Sequence, residues 1–168
     1  RPELGFKEVK TAAKVAEFMR DLGLEPQTGL AINGVKGRAK GGKPGPTAAV
    51  LGELDAVGCP TSPKADPATG AAHACGHNLQ ISTMLAAACK KLVESGKLHF
   101  MSGKGELIYE GAFDDIDMAM QMHADKNMPK PTVSIGESSN GFVGKTVRYI
   151  GKTAHAADAP HEGVNALH

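Results

Sequence analysis

The sequence has no tryptophan, and aromatic residues fill only 4% of its 168 positions. Aromatic faces for stacking bases are therefore scarce. A surplus of charge is missing too, since the formal net charge is +1. Such a chain projects no field toward a phosphate backbone or an anionic membrane surface. No apolar run approaches the roughly 20 residues needed to cross a bilayer, and no signal-peptide pattern is visible. There are three cysteines, Cys59, Cys75 and Cys89. An odd number at irregular spacing is a poor disulfide framework and points to a reducing compartment, the cytoplasm. Gly41-Gly42 lacks the spacing of a phosphate-binding loop. Nucleic acid and membranes are thus not expected as partners.

Hydrophobic residues make up 41% of the chain, enough for a sizeable core. Val9, Ala12, Ala13, Ala16, Met19 and Leu22 recur at helical spacing, so residues 8–22 read as an amphipathic helix closed by Gly23. A strand is expected over 34–40, a turn over 41–46, and a buried strand over 47–53 that stops at acidic residues. A Pro- and Ser-containing loop over 59–70 precedes a second helix, 78–94, with an apolar face of Ile81, Met84, Leu85, Ala88, Leu92 and Val93. Further strands are expected over 117–123, 132–135 and 144–151, and a helix is expected to begin at Pro160. Strands alternating with helices predict an open α/β sheet. Ligands of such sheets gather beyond the carboxyl ends of the strands, where Glu53, Asp55 and His123 fall.

The chemistry concentrates in His73-Ala74-Cys75-Gly76-His77. A thiolate and an imidazole two residues apart suit a borderline or soft divalent metal. An extended backbone would project both to one side, and Gly76 allows a close approach or a positive φ. On these residues alone, a buried cysteine beside a turn histidine explains the pattern as well as a metal site does. Glu53-Leu54-Asp55 reads either as a solvated strand end or as carboxylates that bind a metal or orient a ligand. His123 and His155 taken singly are ordinary loop histidines. A Cys75 nucleophile with His123 as its base is the competing chemistry.

Several motifs in order nevertheless resemble one family. Pro2-Glu3-Leu4-Gly5-Phe6 precedes the first helix, and Glu53-Leu54-Asp55-Ala56-Val57 and His73-Ala74-Cys75-Gly76-His77 follow. Then come the run from Gly111 through Asp117 to Met122-His123, and Gly151-Lys152-Thr153-Ala154-His155-Ala156-Ala157 with Gly163-Val164-Asn165-Ala166. Together they resemble the aminoacylase-type metallopeptidases (peptidase family M-twenty), in the branch of indole-acetyl-amino-acid, hippurate and aminobenzoyl-glutamate hydrolases. The resemblance implies an α/β catalytic domain with an open, mostly parallel sheet flanked by helices. It places that domain at 1–140, and the first elements of an α+β lid or dimerisation domain at 141–168.

It further implies Cys75, His77 and His123 as metal ligands, with Asp55 orienting the site and His155 stabilising the oxyanion from the lid. Two zinc or manganese ions, a small-molecule amide substrate and a homodimer formed through the lid follow from the same likeness. The implied reaction is hydrolysis of N-acyl amino acids, aminobenzoyl-glutamate or small peptides by metal-activated water.

Two features depart from the family pattern. No adjacent Glu-Glu pair, which would supply a general base and a ligand, occurs in the sequence. Glu106 and Glu110 stand in a different context, so a segment near 95–98 is expected to be missing. The alternative is a non-catalytic binding protein on the same fold. The chain also stops at His168 within the expected lid helix, which reads as an incomplete chain.

Overall fold

Helix α1 (Val9–Asp21) buries Ala12, Val15, Ala16 and Met19, the stripe that the helical period requires. Its cap residue Glu8 makes no side-chain capping bond. Glu3 takes that role from outside the helix. Its carboxylate accepts hydrogen bonds from Lys10 N at 3.2 Å, Thr11 N at 2.8 Å and Thr11 Oγ1 at 2.7 Å. An acidic residue ahead of the helix thus satisfies amide donors that the first turn leaves unpaired.

The computed structural model describes residues 1–89, 95–103, 106–125, 127, 129, 133–135, 147–155 and 157–166, apart from the side chains of residues 89, 95 and 98. Two compact units divide the chain, Arg1–Met128 and Pro129–His168. In the first, strands β1 (Gln27–Leu30), β2 (Gly34–Lys40) and β3 (Lys43–Gly52) follow α1. A two-residue pairing of β4 (Val57–Gly58) with β5 (Ala71–Ala72) closes the loop before α2 (His77–Cys89). Strand β6 (Ser95–Ser102), the short helix α3 (Glu106–Tyr109) and β7 (Met118–Gln121) complete the unit.

The sheet order is β1-β2-β6-β3-β7. Strands β6, β3 and β7 run parallel, while β1, β2 and β6 pair antiparallel. The sheet is therefore mixed, and its parallel half carries the strand ends that matter below.

Strand β6 was not expected from the sequence. Residues 95–98 form the first half of this strand. Gly96 has φ +74°, and a Cβ there would collide with the backbone of Pro46. The chain entering β3 therefore crosses close over β6 only because this residue is glycine. The expected turn at 44–46 is absorbed into β3, whose register shifts between Lys43 and Thr47.

One core cluster joins Ala12, Val15, Ala16 and Met19 of α1 to Met84 and Ala88 of α2, with Val35, Leu54 and Phe100. Phe100 is 1% exposed, and burying such a side chain contributes about 1.5–3 kcal/mol. A second cluster contains Ala49, Met101, Leu107 and Ala112.

Buried Lys36 donates to the Ala112 carbonyl and, at 3.0 Å, to Asp115 Oδ1. His99 is fully buried. Neither of its ring nitrogens has a hydrogen-bond partner among the described residues. Burial pushes the His99 pKa down, against the opposing pull of Asp115, whose Oδ2 lies 3.8 Å from Nε2.

The second unit departs from the expected elements. Residues 133–135 form no strand, and Val133 and Ile135 are each 93% exposed. Residues 147–151 are not a strand either; among the described residues, the pairing nearby is an isolated antiparallel bridge between Lys152 and Val164. Among the described residues no neighbouring strand completes a ladder, so the alternation of this segment forms no sheet there. The helix expected from Pro160 is a single 3-10 turn, Pro160–Glu162, because Gly163 turns extended at φ −78°, ψ 151°. Residues 90–94 of the expected second helix, Thr132 and residues 144–146 fall outside the described residues. Among the described residues, no helix is long and apolar enough to cross a membrane.

Candidate metal centre

Three chain segments converge at the carboxyl end of the parallel strands. β3 ends at Gly52 and delivers Glu53 and Asp55. β7 ends at Gln121, two residues before His123. Cys75 and His77 arrive where the chain turns into α2. The turn at Gly76 has φ +90°, and a Cβ there would lie 3.0 Å from Ala124 Cβ. Gly76 thus adopts the positive φ that glycine was expected to allow, and the chain through Cys75-Gly76-His77 turns into α2 and does not run extended.

Donor atoms of Cys75, His77 and His123 all lie within 4.8 Å of one another. Cys75 Sγ is 3.4 Å from His123 Nε2. The rings of His77 and His123 meet edge to face, with centroids 5.4 Å apart. A second group, Glu53, Asp55 and His77, meets the same 4.8 Å limit.

The hydrogen bonds fix which nitrogens face the centre. His77 Nδ1 lies 2.9 Å from the Asp55 carbonyl oxygen, and His123 Nδ1 lies 2.8 Å from the Ala124 carbonyl oxygen. A carbonyl only accepts, so each Nδ1 carries a hydrogen; Nε2 of His123 is left beside Cys75 Sγ, and Nε2 of His77 lies 3.2 Å from Glu53 Oε2. Asp55 Oδ1 adds a second contact to His77 Nδ1 at 3.0 Å. Carbonyl and carboxylate partners behind an imidazole are the usual means of orienting a ligating histidine.

The separations suit a cation. In a tetrahedral zinc site with typical bond lengths, a sulfur–nitrogen edge spans about 3.5 Å, and Cys75 Sγ to His123 Nε2 measures 3.4 Å. His77 and Asp55 are buried, Cys75 is half-buried and His123 is exposed, so the centre opens to solvent on one side.

The remaining sequence candidates have other surroundings. His73 joins neither donor group, and desolvation lowers its pKa. Glu110 Oε2 accepts from Ala31 N at 2.7 Å and so ties down the β1–β2 turn. His155 belongs to the second unit, is exposed, and accepts at Nδ1 from the amides of Ala157 and Asp158.

Two residues that carried no sequence signal touch the centre. Buried Gln80 on α2 accepts from Glu53 N and donates to Glu53 Oε2 at 3.4 Å, and Gln121 donates to the same oxygen at 3.1 Å. Beside His77 and Glu53, a groove between α1 and α2 is lined by Val15, Phe18, Leu54, Ile81 and Leu85, together with Lys10 and Lys14.

No family model matches the chain. Over 188 residues it is 30% identical to a p-aminobenzoyl-glutamate hydrolase polypeptide of Escherichia coli, covering 99% of this chain and 38% of that protein. It is 27% identical over 188 residues to thermostable carboxypeptidase 2 of Saccharolobus solfataricus, covering 99% of this chain and 47% of that protein. The chain thus spans less than half the length of either relative. Its fold is similar to that of a dinuclear metal-binding peptidase of family M-twenty from Bacillus subtilis. That match has a TM-score of 0.67 and 23% identity, and covers 77% of this chain and 40% of that one.

Proposed function

From a chain that belongs to the aminoacylase-type metallopeptidases, we propose the metal-binding part of an amidohydrolase that cleaves N-acyl amino acids, aminobenzoyl-glutamate or small peptides. The observation that carries this reading is the pair of histidines whose Nδ1–H groups are held by backbone carbonyls, with His123 Nε2 3.4 Å from the Cys75 thiol and a donor atom of His77 in the same group. Cys75, His77 and His123 would hold the ion. A sulfur and two nitrogens favour zinc, with manganese as the other candidate, over magnesium or calcium. When bound, such an ion lowers the pKa of a water and polarises the amide carbonyl, and the likeness in fold to a dinuclear metal-binding peptidase favours a pair of ions in the whole enzyme.

The residues have separable tasks. Asp55 fixes the tautomer and orientation of His77 through its carbonyl and its carboxylate. We assign 1–140 to the catalytic domain and 141–168 to the start of a lid that forms a homodimer, in the cytoplasm. His155 would stabilise the oxyanion from that lid. The sequence holds no adjacent Glu-Glu pair; we assign the base to a segment missing near 95–98, and a protein that truly lacks it is the non-catalytic alternative. Loss of a general base lowers the rate by ~10²–10⁴-fold.

A second reading rests on the 3.4 Å contact between Cys75 Sγ and His123 Nε2, which also fits a thiol nucleophile and its base. One experiment separates the two. The whole protein is assayed on N-acyl amino acids and aminobenzoyl-glutamate with zinc or manganese, then with chelator, then after alkylation. Turnover that chelation abolishes and metal restores supports the amidohydrolase. Turnover that survives chelation and dies on alkylation supports the thiol enzyme. Bound metal without turnover across the panel leaves a non-catalytic binding protein.

A further inference from the structure

One face of the sheet concentrates positive charge. Val35 and Phe100 belong to the core shared with α1 and α2. Side chains alternate along a strand, so Lys36, Arg38 and Lys40 of β2 and Lys97 and His99 of β6 share the opposite face. The register sets Arg38 across from His99 and Lys40 across from Lys97. Like charges directly opposite each other destabilise a sheet. A formal net charge of +1 for the chain hides this local excess.

Arg38, Lys40, Lys97, His99 and Asp115, with Ala39, line a cavity of about 280 Å³. The three cations are exposed, and among the described residues none forms an ion pair with a carboxylate. Asp115 is already engaged, since buried Lys36 holds its Oδ1 at 3.0 Å. His99 bounds the cavity from the interior. It is 0% exposed, and among the described residues neither ring nitrogen has a hydrogen-bond partner. Asp115 Oδ2, 3.8 Å from its Nε2, is beyond hydrogen-bond reach. A buried polar atom left without a partner costs stability and calls for one. Burial, with the charges of Lys36, Arg38 and Lys97 behind it, lowers the His99 pKa against the pull of Asp115. The neutral ring offers one N–H donor and one acceptor.

We propose that this cavity binds a phosphate group, with Arg38, Lys40 and Lys97 balancing its charge and His99 hydrogen-bonding one of its oxygens. A guanidinium fork and two ammonium groups suit a compact, multiply charged oxyanion. A singly protonated phosphate also carries both an acceptor and a P–OH donor for the two faces of the imidazole. Lys97 pairs with Thr47, whereas the metal centre lies beyond Gly52, about 16 Å further along β3. The site is thus separate from that centre and does not rest on the metal-binding reading.

The test is calorimetric titration of the whole protein with inorganic phosphate, at an ionic strength fixed with sodium chloride. The unsubstituted protein is compared with Arg38→Gln and Lys97→Gln, both at exposed positions. Each substitution removes a charge-assisted contact and should weaken phosphate binding by at least ~10-fold. Nitrogen NMR of the unsubstituted protein gives a readout independent of any variant: the His99 ring nitrogens should shift as phosphate is added. Methyl phosphate in a parallel titration separates the two sources of the group. Tighter binding of the ester identifies a phosphorylated small molecule as the ligand, and tighter binding of inorganic phosphate identifies the free ion. Absence of binding at millimolar phosphate overturns the inference. Binding that is indifferent to both substitutions, as for phosphate taken up at the metal centre, overturns it too, as do His99 nitrogens that stay unshifted while phosphate binds.

Discussion

Gly76→Ala tests whether the backbone, and not only the side chains, builds the centre. The residue has φ +90°, and the new Cβ would stand 3.0 Å from Ala124 Cβ, tighter than ordinary contact. A left-handed conformation costs an L-residue about 1–2 kcal/mol. Displacing Ala124 by a few tenths of an ångström brings the total to roughly 2–3 kcal/mol, within the range for strained backbone at functional sites. With a urea dependence of about 1–3 kcal/mol per molar, the unfolding midpoint should fall by roughly 1–2 M.

Turning the peptide units to relieve the strain would also swing Cys75 away from His77, so zinc affinity should drop together with stability. Gly58→Ala is the control, because nothing lies within 4 Å of a Cβ there and its φ is not positive. It should shift stability by less than about 0.5 kcal/mol. A Gly76→Ala protein that unfolds at the unsubstituted midpoint and binds zinc unchanged would refute the requirement for a left-handed turn.

Two other perturbations probe the scaffold. Glu3→Ala removes the acceptor for three donors at the start of α1 and should cost about 0.5–2 kcal/mol, read by thermal unfolding. Burial pushes the Glu3 carboxyl up, but hydrogen bonds from Thr11 and Lys10 outweigh it and hold the pKa below its ordinary 4.5. Its contribution is therefore complete above pH 4.5 and lost as pH falls below that value. Glu3→Ala should lose less stability than the unsubstituted protein over that acidic range, and parallel pH profiles would count against the capping role. Burial lowers the His99 pKa from 6.5, so the unfolded chain binds the proton more tightly. Stability should decline as pH drops through 6.5 toward the folded value, and His99→Leu should flatten part of that slope. An unchanged slope in His99→Leu would remove His99 as its source.

Periodicity made α1 and the helical part of α2 legible, because each buries one face and its apolar spacing records that face directly. The turn at 41–46 misled because Pro44 and Pro46 signal a break, whereas they lie in a stretch of β3 where the ladder shifts register. β6 was hidden: Lys97 and His99 interrupt its apolar residues, yet His99 is fully buried. β1 is short and mostly exposed, so its hydrogen bonds to β2, not its side chains, make it a strand.

In the site, the sequence pattern named Cys75, His77 and His123 as residues to watch, and the fold brings their donor atoms together. It could not reveal Gln80 and Gln121. An amide side chain belongs to no motif, and its partner Glu53 is 27 residues from one and 68 from the other. In the second unit, the alternation of residues 147–151 is genuine, but the pattern alone does not supply the neighbouring strand a sheet requires.

The decisive measurement is a crystal structure of the whole protein loaded with zinc, with an anomalous difference map collected across the zinc edge. A peak is expected within bonding distance of Cys75 Sγ, His77 Nε2 and His123 Nε2, with both Nδ1 atoms still on their carbonyls. A peak elsewhere, or a loaded protein in which these three side chains turn apart, would contradict the metal-binding reading.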